Sequence, residues 1–215
     1  MQHNKIVEHH CDIICKEFDD SRVRIWQNVK NFIQNGNGKT LLDVGVGNGK
    51  NIIYANDFGY NCIGIDISNN LLEICKNKGL NAFKLDMLEL TPEIFGKFDD
   101  IICIASLHHL ENISLQKIAI YNMICCLEKN GRLLISVWSF EKFDNFENIK
   151  YRNFTIGPNI VKWNSKKKDY QIDRFYYIHN FETFNNMILD IKNDVDISYK
   201  ISWEKQNWFC EITKN

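Results

Sequence analysis

A glycine-rich segment directly follows a short apolar run in the first quarter of the chain. Residues 40–44 have the composition of a buried strand, and three glycines alternate with other residues after it, namely Gly45, Gly47 and Gly49. Glycine lets the backbone pass close to a ligand because it carries no Cβ. The spacing is G-x-G-x-G, so it matches neither the dinucleotide fingerprint nor the G-K-[ST] loop of triphosphate sites. Alone, the segment indicates a tight strand-to-helix turn.

Three aspartates end three successive apolar runs: Asp43, Asp66 and Asp86. An acidic group about 20 residues past a glycine loop can accept hydrogen bonds from ribose hydroxyls. Asp86 precedes Met87, a pair that suits an adenine amino group and an apolar contact on its ring. Each aspartate alone is more often a helix cap or a turn former. Together, at one edge of a parallel sheet, they predict a nucleoside-containing cofactor.

The elements that must position these residues alternate along the chain. Residues 6–33 have helical periodicity, and further helices are expected near 50–58, 69–78, 114–128 and 181–191. Apolar runs typical of buried parallel strands lie at 40–44, 61–66, 82–85, 100–105 and 132–138. Residues 197–203 and 208–212 predict a final antiparallel hairpin. The pattern predicts an α/β, Rossmann-like doubly wound, mostly parallel seven-stranded sheet that ends in this hairpin.

The chain is expected to form one domain, because it has 215 residues and contains neither a Pro/Ser-rich linker nor an internal repeat. Within residues 1–215 we distinguish four parts. They are an N-terminal helical segment (1–39), a cofactor-binding core (40–138), a substrate-side insertion (139–180), and a final helix and hairpin (181–215).

Charge is unevenly distributed, although the formal net charge is only −1. Residues 150–179 contain seven basic and two acidic side chains, and three of the basic ones form the run Lys166 to Lys168. Such a segment suits a phosphate-rich ligand, and it is equally consistent with a solvated lysine loop.

Eight cysteines occur without a C-x-x-C pair, and the N-terminus lacks the apolar core of a signal peptide. We therefore expect reduced thiols in a cytoplasmic, or alternatively nuclear, protein with no membrane span. The cluster formed by His9, His10, Cys11 and Cys15 lacks paired ligand spacing, so no metal site is predicted there.

Several of these segments are similar to the motifs of class I S-adenosylmethionine-dependent methyltransferases. The matching stretches are residues 41–49, 64–66, 85–87, 98–102 and 128–135. The resemblance implies S-adenosylmethionine as the cofactor. The expected cofactor-binding residues are Asp43, Gly45, Gly47, Asp66, Ile67, Asp86, Met87 and Ala105.

A narrower resemblance covers nearly the whole chain and points to the tRNA wobble-uridine methyltransferases. Those enzymes methylate the carboxylate of 5-carboxymethyluridine at anticodon position 34. The matching residues are Phe18, Ser21-Arg22, Trp26, residues 47–50 and 70–74, residues 108–110, Val137-Trp138, Trp163, residues 174–176 and Asn207-Trp208. The chain departs from the family pattern at Ile25, Val46, Lys162 and Tyr177.

The resemblance also implies partners and roles. The partners would be a tRNA anticodon loop and a small zinc-binding activator subunit that covers a sheet edge. A carboxylate acceptor is ionised at neutral pH, so it needs orientation rather than a general base. The catalytic candidates are Arg22 and Arg174, whose guanidinium groups grip carboxylates, and His108, which would line the acceptor pocket or act as a base on a phenol or amine. The candidates for substrate binding by base stacking are Trp26, Trp138, Trp163 and Tyr176, although core packing is the simpler role for Trp138.

Two other functions stay open on the sequence alone. One is a small-molecule methyltransferase of the same fold, acting on a quinone or phenol. The other is a non-catalytic adapter that keeps the methyltransferase fold to bind a partner or RNA.

Overall fold

Helices and strands alternate from residue 40 onwards in the computed structural model, which describes residues 2–36, 38–143, 153–165 and 170–215. The helices are α1 (Gln2–Ser21), α2 (Gln27–Gln34), α3 (Lys50–Asn56), α4 (Asn69–Asn77), α5 (Pro92–Phe95), α6 (Ile113–Cys125) and α7 (Phe181–Asp194). The strands are β1 (Thr40–Val44), β2 (Asn61–Asp66), β3 (Ala82–Lys84), β4 (Phe98–Ile104), β5 (Leu127–Trp138), β6 (Gly157–Asn164), β7 (Gln171–Ile178), β8 (Ile197–Trp203) and β9 (Asn207–Lys214). A short 3-10 turn covers Leu107–His109.

Seven of these strands form one sheet in the order β3-β2-β1-β4-β5-β9-β8. The first five strands in this order pair in parallel, whereas β9 pairs antiparallel with both β5 and β8. The predicted seven-stranded, mostly parallel sheet with a C-terminal antiparallel hairpin is therefore confirmed. Strand β2 lies inside the sheet, and the two edge strands are β3 and β8.

Each face of the sheet packs against helices through alternate residues of the same strand. Leu42 and Val44 of β1 belong to the apolar cluster that also contains buried residues of α6 and α7. Leu41, the neighbouring residue, belongs to the opposite cluster with buried residues of α2 and α3. Successive side chains on a strand point to opposite faces, so both faces of the central strands are buried. This arrangement fixes the carboxyl ends of β1, β2 and β4 at one edge.

The N-terminal helical stretch is interrupted, which differs from the continuous periodicity seen in the sequence. Trp26 has an extended backbone (φ −65°, ψ 146°) and precedes α2. The first amides of α2, on Gln27 and Asn28, donate to the Glu204 carboxylate at 3.1 and 3.0 Å. A carboxylate there also complements the positive end of the helix dipole. The start of α2 is therefore set by a side chain 177 residues away.

Helix α1 lies against the body of the sheet through polar contacts. The Asp12 carboxylate accepts hydrogen bonds from the Ser68 hydroxyl at 2.5 Å and from the Asn70 amide at 3.1 Å. Farther along the helix, Asp19 pairs with Lys78 at 2.7 Å. These contacts hold α1 over the glycine-rich loop.

Strands β6 and β7 form a separate two-stranded antiparallel sheet inside the predicted insertion 139–180. The apolar pattern of the sequence predicts no strands there. Most of the basic side chains noted between residues 150 and 179, including Lys166 to Lys168, lie outside the described residues; Lys162 and Arg174 lie on β6 and β7. In the described part of the chain, no helix has the length and apolar character needed to cross a membrane. The division into four parts stays a prediction.

Candidate active site

A cavity of about 610 Å³ opens at the carboxyl edge of the sheet. Its wall is built by α1, the glycine-rich loop, the segments after β2, β3 and β4, strand β7 and the β8–β9 turn. Thirteen of the residues predicted as functional line it: Arg22, Trp26, Gly45, Gly47, Asp66, Ile67, Asp86, Met87, Ala105, His108, Trp138, Arg174 and Tyr176. Among the described residues that form this wall, Asp43 and Trp163 do not appear. The structure thus brings nearly all predicted site residues to one place.

The glycine-rich loop adopts backbone conformations that require glycine. Gly45 and Gly49 have φ values of +76° and +77°. A Cβ on Gly45 would lie 2.0 Å from the Ser106 Oγ, and one on Gly49 would lie 2.2 Å from the Leu80 Cδ1. Both values are far below any normal contact. Side chains such as Ser106 and Leu80 therefore pack directly against the loop, and the loop backbone faces the cavity.

Asp66 holds this loop in place. Its Oδ2 accepts a hydrogen bond from the Gly47 amide at 2.9 Å, and its Oδ1 accepts one from the Ser68 amide at 2.9 Å. Burial raises the pKa of Asp66, while these backbone N–H groups oppose the rise. Each carboxylate oxygen has a second lone pair, so the group can still accept hydrogen bonds from a diol in the cavity. The predicted ribose contact fits this geometry.

Asp43 lies beneath the loop and has no exposed surface. Its Oδ2 accepts a hydrogen bond from the Asn51 Nδ2 at 3.4 Å. Within the described structure, Asp43 Oδ1 and Asn51 Oδ1 are buried acceptors without a hydrogen-bond partner. Burial raises the pKa of Asp43 to about 7. Asn51 also lines the cavity and was not predicted from the sequence, because an asparagine early in a helix carries no distinctive signal.

The segments after β3 and β4 complete the cofactor end of the cavity. Asp86 accepts a hydrogen bond from the Leu88 amide at 3.0 Å, and Met87 is half-buried beside it. Ala105 follows β4 with φ +54°, and its amide donates to the Ser136 hydroxyl at 2.9 Å. A non-glycine residue in this region is uncommon and is found mostly in functional segments.

Two guanidinium groups meet on one indole ring at the other end of the cavity. The Arg174 Cζ lies 4.8 Å from the Trp163 ring centroid and 5.0 Å from that of Tyr176. The Arg22 Cζ lies 5.9 Å from Trp163, at a distance typical of cation–π contacts. Burial first, and then the charge of Arg174, lower the pKa of Arg22. Trp163 thus supports the two arginines and does not itself form the cavity wall.

Neither arginine forms an ion pair with a carboxylate in the described part of the chain. Arg174 is only 7% exposed. Lys50, which also lines the cavity, has a pKa lowered by burial and then by Arg22. Arg174 is buried, and Arg22 and Lys50 are half-buried. None of the three forms an ion pair among the described residues, so together they favour the binding of an anion.

An aromatic cluster connects the arginines to the sheet. Tyr176 stacks on Trp138 with ring centroids 4.1 Å apart and an interplanar angle of 17°. His108, fully buried, accepts a hydrogen bond at Nδ1 from the Trp138 amide at 3.2 Å. Because Tyr176 is only 3% exposed and its faces meet Trp138 and the Arg174 guanidinium, it forms the wall of the pocket. A nucleobase would have to stack elsewhere.

His108 is oriented for donation. In a neutral imidazole one nitrogen is a donor and the other an acceptor. Since Nδ1 accepts the Trp138 amide, Nε2 carries the proton. The structure also shows no group of three or more His, Cys, Asp or Glu side chains arranged for a metal ion, within the residues it describes.

Comparison with known proteins places the chain in a family. A model described as a methyltransferase domain matches residues 17–180. A tRNA (carboxymethyluridine(34)-5-O)-methyltransferase of Arabidopsis thaliana is 35% identical over 144 residues, which are 65% of this chain and 34% of that protein. The chain therefore spans about a third of that relative's length. The protein of the same name from Schizosaccharomyces pombe is 24% identical over 229 residues, covering 99% of this chain and 97% of that protein.

The fold agrees with this assignment. An S-adenosylmethionine-dependent methyltransferase from Clostridium acetobutylicum has a TM-score of 0.66 to this chain at 14% identity, over 94% of this chain and 98% of that one. At that identity the likeness concerns the fold alone. From the domain match and the strand order 3-2-1-4-5-9-8, the chain belongs to the class I S-adenosylmethionine-dependent methyltransferases.

Proposed function

We propose that this enzyme transfers a methyl group from S-adenosylmethionine to the carboxylate of 5-carboxymethyluridine at the wobble position of tRNA. The observation that carries the proposal is the pair Arg22 and Arg174. Both guanidinium groups line the cofactor cavity, and within the described structure neither is paired with a carboxylate. Guanidinium groups bind carboxylates and phosphates in a fixed fork, so an anionic acceptor supplies the missing counter-charge.

The cofactor half of the cavity fits S-adenosylmethionine. Asp66 would accept hydrogen bonds from the ribose hydroxyls, and Asp86 with Met87 would hold the adenine. The unpaired acceptor Asn51 Oδ1 suits the N–H donors of the methionine ammonium, with the Asp43 carboxyl group behind it. When bound, this cofactor supplies an electrophilic methyl group on a sulfonium. The protein then contributes mainly by positioning the acceptor against that methyl group.

The acceptor half favours a carboxylate over a phenol or an amine. A carboxylate with a pKa near ~4 is already nucleophilic at neutral pH, so it requires no proton removal. A phenol or an amine requires a base within reach. His108 is held with its proton on Nε2, so it can donate a hydrogen bond to the acceptor but is not poised to take a proton from it. His108 therefore does not supply the base that the small-molecule alternative needs. In that alternative the role would fall to His109, which also lines the cavity and donates from Nδ1 to the Phe175 carbonyl at 3.0 Å.

Relatives support the same substrate class. Two of them, from Arabidopsis thaliana and Schizosaccharomyces pombe, are named as methyltransferases of carboxymethyluridine 34 in tRNA. The second aligns with nearly the whole of this chain, including the β6–β7 hairpin that carries Arg174. We extend that substrate to this chain, with the tRNA anticodon loop as the partner.

A small zinc-binding activator subunit is the second proposed partner. Strand β3 is one of the two edge strands of the seven-stranded sheet and has only three residues. Phe83 on this strand is 46% exposed, and its ring lies 5.3 Å from that of Phe95. An edge strand that carries an exposed aromatic side chain is a surface that another strand could cover.

The test measures methyl ester formation on tRNA. Purified protein is incubated with S-adenosylmethionine and tRNA containing 5-carboxymethyluridine, with and without an activator subunit, and the nucleosides are analysed by mass spectrometry. The methyl ester is expected. Methylation of a quinone or phenol with none on tRNA would establish the small-molecule function instead, and absence of cofactor binding in calorimetry would establish the adapter.

Three variants separate cofactor binding from acceptor binding. Asp66→Ala is expected to weaken S-adenosylmethionine binding, because it removes the ribose acceptor and the bond to the Gly47 amide. Arg22→Ala should spare cofactor binding and abolish methyl transfer to tRNA. The control Lys97→Ala changes an exposed side chain outside the cavity wall and should leave both unchanged. Normal turnover of Arg22→Ala would refute the assigned role.

A further inference from the structure

Asn207 is a buried amide whose orientation is fixed by its neighbours. The side chain is 3% exposed and lines the cavity. Its Nδ2 donates to the Lys205 carbonyl at 2.8 Å and to the Glu204 carbonyl at 3.3 Å. Carbonyl oxygens only accept, so the nitrogen must face them. The atom left over is therefore Oδ1, an acceptor, and it has no hydrogen-bond partner in the described structure.

The turn that carries Asn207 is rigid and strained. Lys205 and Gln206 both have positive φ, +46° and +59°. Non-glycine residues adopt this region at a cost, and consecutive examples occur where the surrounding structure enforces them. The turn is enforced by reciprocal backbone hydrogen bonds between Glu204 and Asn207 at 3.0 Å and by the Ser139 amide, which donates to the Gln206 carbonyl at 3.0 Å. Asn207 Oδ1 is thus a preorganised acceptor.

A second buried atom at this end of the cavity has the opposite character. Arg174 Nε is a donor, and in the described part of the chain it too lacks a hydrogen-bond partner. Both residues line the same cavity. Asn207 is the register partner of Trp138, Trp138 stacks on Tyr176, and the Arg174 guanidinium lies 5.0 Å from the Tyr176 ring. A buried polar atom left unpaired costs about 1–3 kcal/mol, so an acceptor and a donor that line one cavity favour a ligand that offers both.

Building on the function proposed above, we propose that Asn207 Oδ1 accepts a hydrogen bond from the N3–H of the acceptor uracil and that Arg174 Nε donates to its neighbouring O4. Uracil presents a donor at N3 next to an acceptor at O4, and C5, which carries the carboxymethyl group, follows O4 around the ring. One guanidinium has five N–H donors, enough to bond O4 through Nε and the carboxylate through a terminal nitrogen. The N3–H, O4 and carboxylate of the substrate thus match Asn207 Oδ1, Arg174 Nε and a terminal nitrogen of Arg174.

This assignment makes Asn207 a specificity-determining residue. Cytosine has a lone pair at N3 instead of a hydrogen, so it would face the Asn207 oxygen acceptor to acceptor. A site with buried hydrogen-bonding groups rejects a ligand that leaves them unpaired by large factors. The cytosine amino group at the 4-position would also face the Arg174 Nε donor to donor. For these two mismatched hydrogen bonds we expect a preference for uracil over cytosine of at least about 100-fold in kcat/KM.

The experiment compares three synthetic anticodon stem-loops that differ only at position 34. They carry 5-carboxymethyluridine, 5-carboxymethylcytidine and N3-methylated 5-carboxymethyluridine. The wild-type protein, with activator subunit if turnover needs it, should methylate the first and lose at least about 100-fold on the other two. Asn207→Ala should reduce the uracil-to-cytosine ratio by about tenfold or more while leaving S-adenosylmethionine affinity unchanged. Gln206→Gly, which places glycine at a positive φ and so keeps both the turn and Asn207, should preserve the ratio.

The outcomes separate this inference from the function on which it rests. Equal methylation of all three stem-loops by the wild-type protein overturns the base-reading role and leaves the carboxyl methyltransferase function standing. An unchanged uracil-to-cytosine ratio in a folded Asn207→Ala protein also overturns the base-reading role and leaves the carboxyl methyltransferase function standing. No methylation of the first stem-loop, under conditions where cofactor binds, overturns both. The N3-methylated substrate tests the base-reading role in the wild-type protein, so the test holds even where the alanine variant does not fold.

Discussion

Replacing Asp43 by asparagine removes a carboxyl group that has no exposed surface and keeps a side chain of the same size. The surroundings of Asp43 supply one hydrogen-bond donor, the Asn51 Nδ2 at 3.4 Å. Burial is the largest cause of its raised pKa, about 7 compared with 3.8 for the unfolded chain. The ionised form is therefore disfavoured in the folded protein, and the folded protein becomes less stable wherever this group must lose its proton.

The stability of the folded protein depends on pH because the pKa of Asp43 differs between the folded and the unfolded state. A carboxyl group whose folded pKa is raised contributes stability that is complete below the unfolded pKa and is lost as pH rises through the folded pKa. With pKa values of 3.8 in the unfolded chain and about 7 in the folded protein, the free energy of unfolding falls by roughly 2–3 kcal/mol between pH 5 and pH 8. Asparagine does not titrate, so Asp43→Asn lacks this contribution. The variant should gain stability relative to wild type as pH rises across this window.

The assay is urea unfolding of the cofactor-free protein at pH 5 and pH 8, for wild type and for Asp43→Asn. The quantity of interest is the difference between the two proteins, because all other titrating groups cancel in it. An exposed control, Asp57→Asn, makes the same change of charge on the surface and should show no comparable pH dependence. If the difference between wild type and Asp43→Asn is the same at both pH values, Asp43 is not held in the proton-bound form that its burial implies.

Three further predictions concern the framework of the site, and each is measured by chemical unfolding. Gly49→Ala should lose about 1–2 kcal/mol or more, because φ is +77° and the new Cβ would meet Leu80 at 2.2 Å; an unchanged midpoint would contradict this. Arg132→Met should cost about 3–5 kcal/mol, because Asp100 is 1% exposed and would lose its paired cation; a neutral result would show that another group compensates. Ser68→Ala should cost about 1 kcal/mol by removing the N-cap of α4, with no loss if water replaces the hydroxyl.

The sheet was predictable because its strands are continuous apolar runs. Both faces of β1, β4 and β5 are covered, so nearly every residue in their central parts is buried, and most are apolar. Boundaries were less predictable. Strand β5 begins at Leu127 and not near 132, because Leu127 pairs with Phe98 across an irregularity in the register. The polar residues between Leu127 and Arg132 do not have the apolar pattern of a strand.

The missing parts of the prediction are set by distant contacts. The break before α2 is stabilised by Glu204, and no local pattern marks it. Strands β6 and β7 pair mainly with each other, and polar residues interrupt both, so neither shows the continuous apolar run of a central strand. Asn207 was noted only through a resemblance, because its function depends on which of its two polar atoms is left unpaired, and that is visible only in the folded turn.

The acceptor half of the site exists only when two separate segments are docked. Arg22 follows α1, whereas Arg174 lies on β7, and the two positive charges oppose each other's approach. Glu17 on α1 offsets this repulsion, because its carboxylate accepts hydrogen bonds from the Trp163 Nε1 at 3.4 Å and from the Ser165 hydroxyl. Trp163 adds its electron-rich face to both guanidinium groups. The anionic acceptor that we propose would remove the remaining repulsion by binding between the arginines, so we expect acceptor binding and the docking of α1 on the β6–β7 hairpin to reinforce each other.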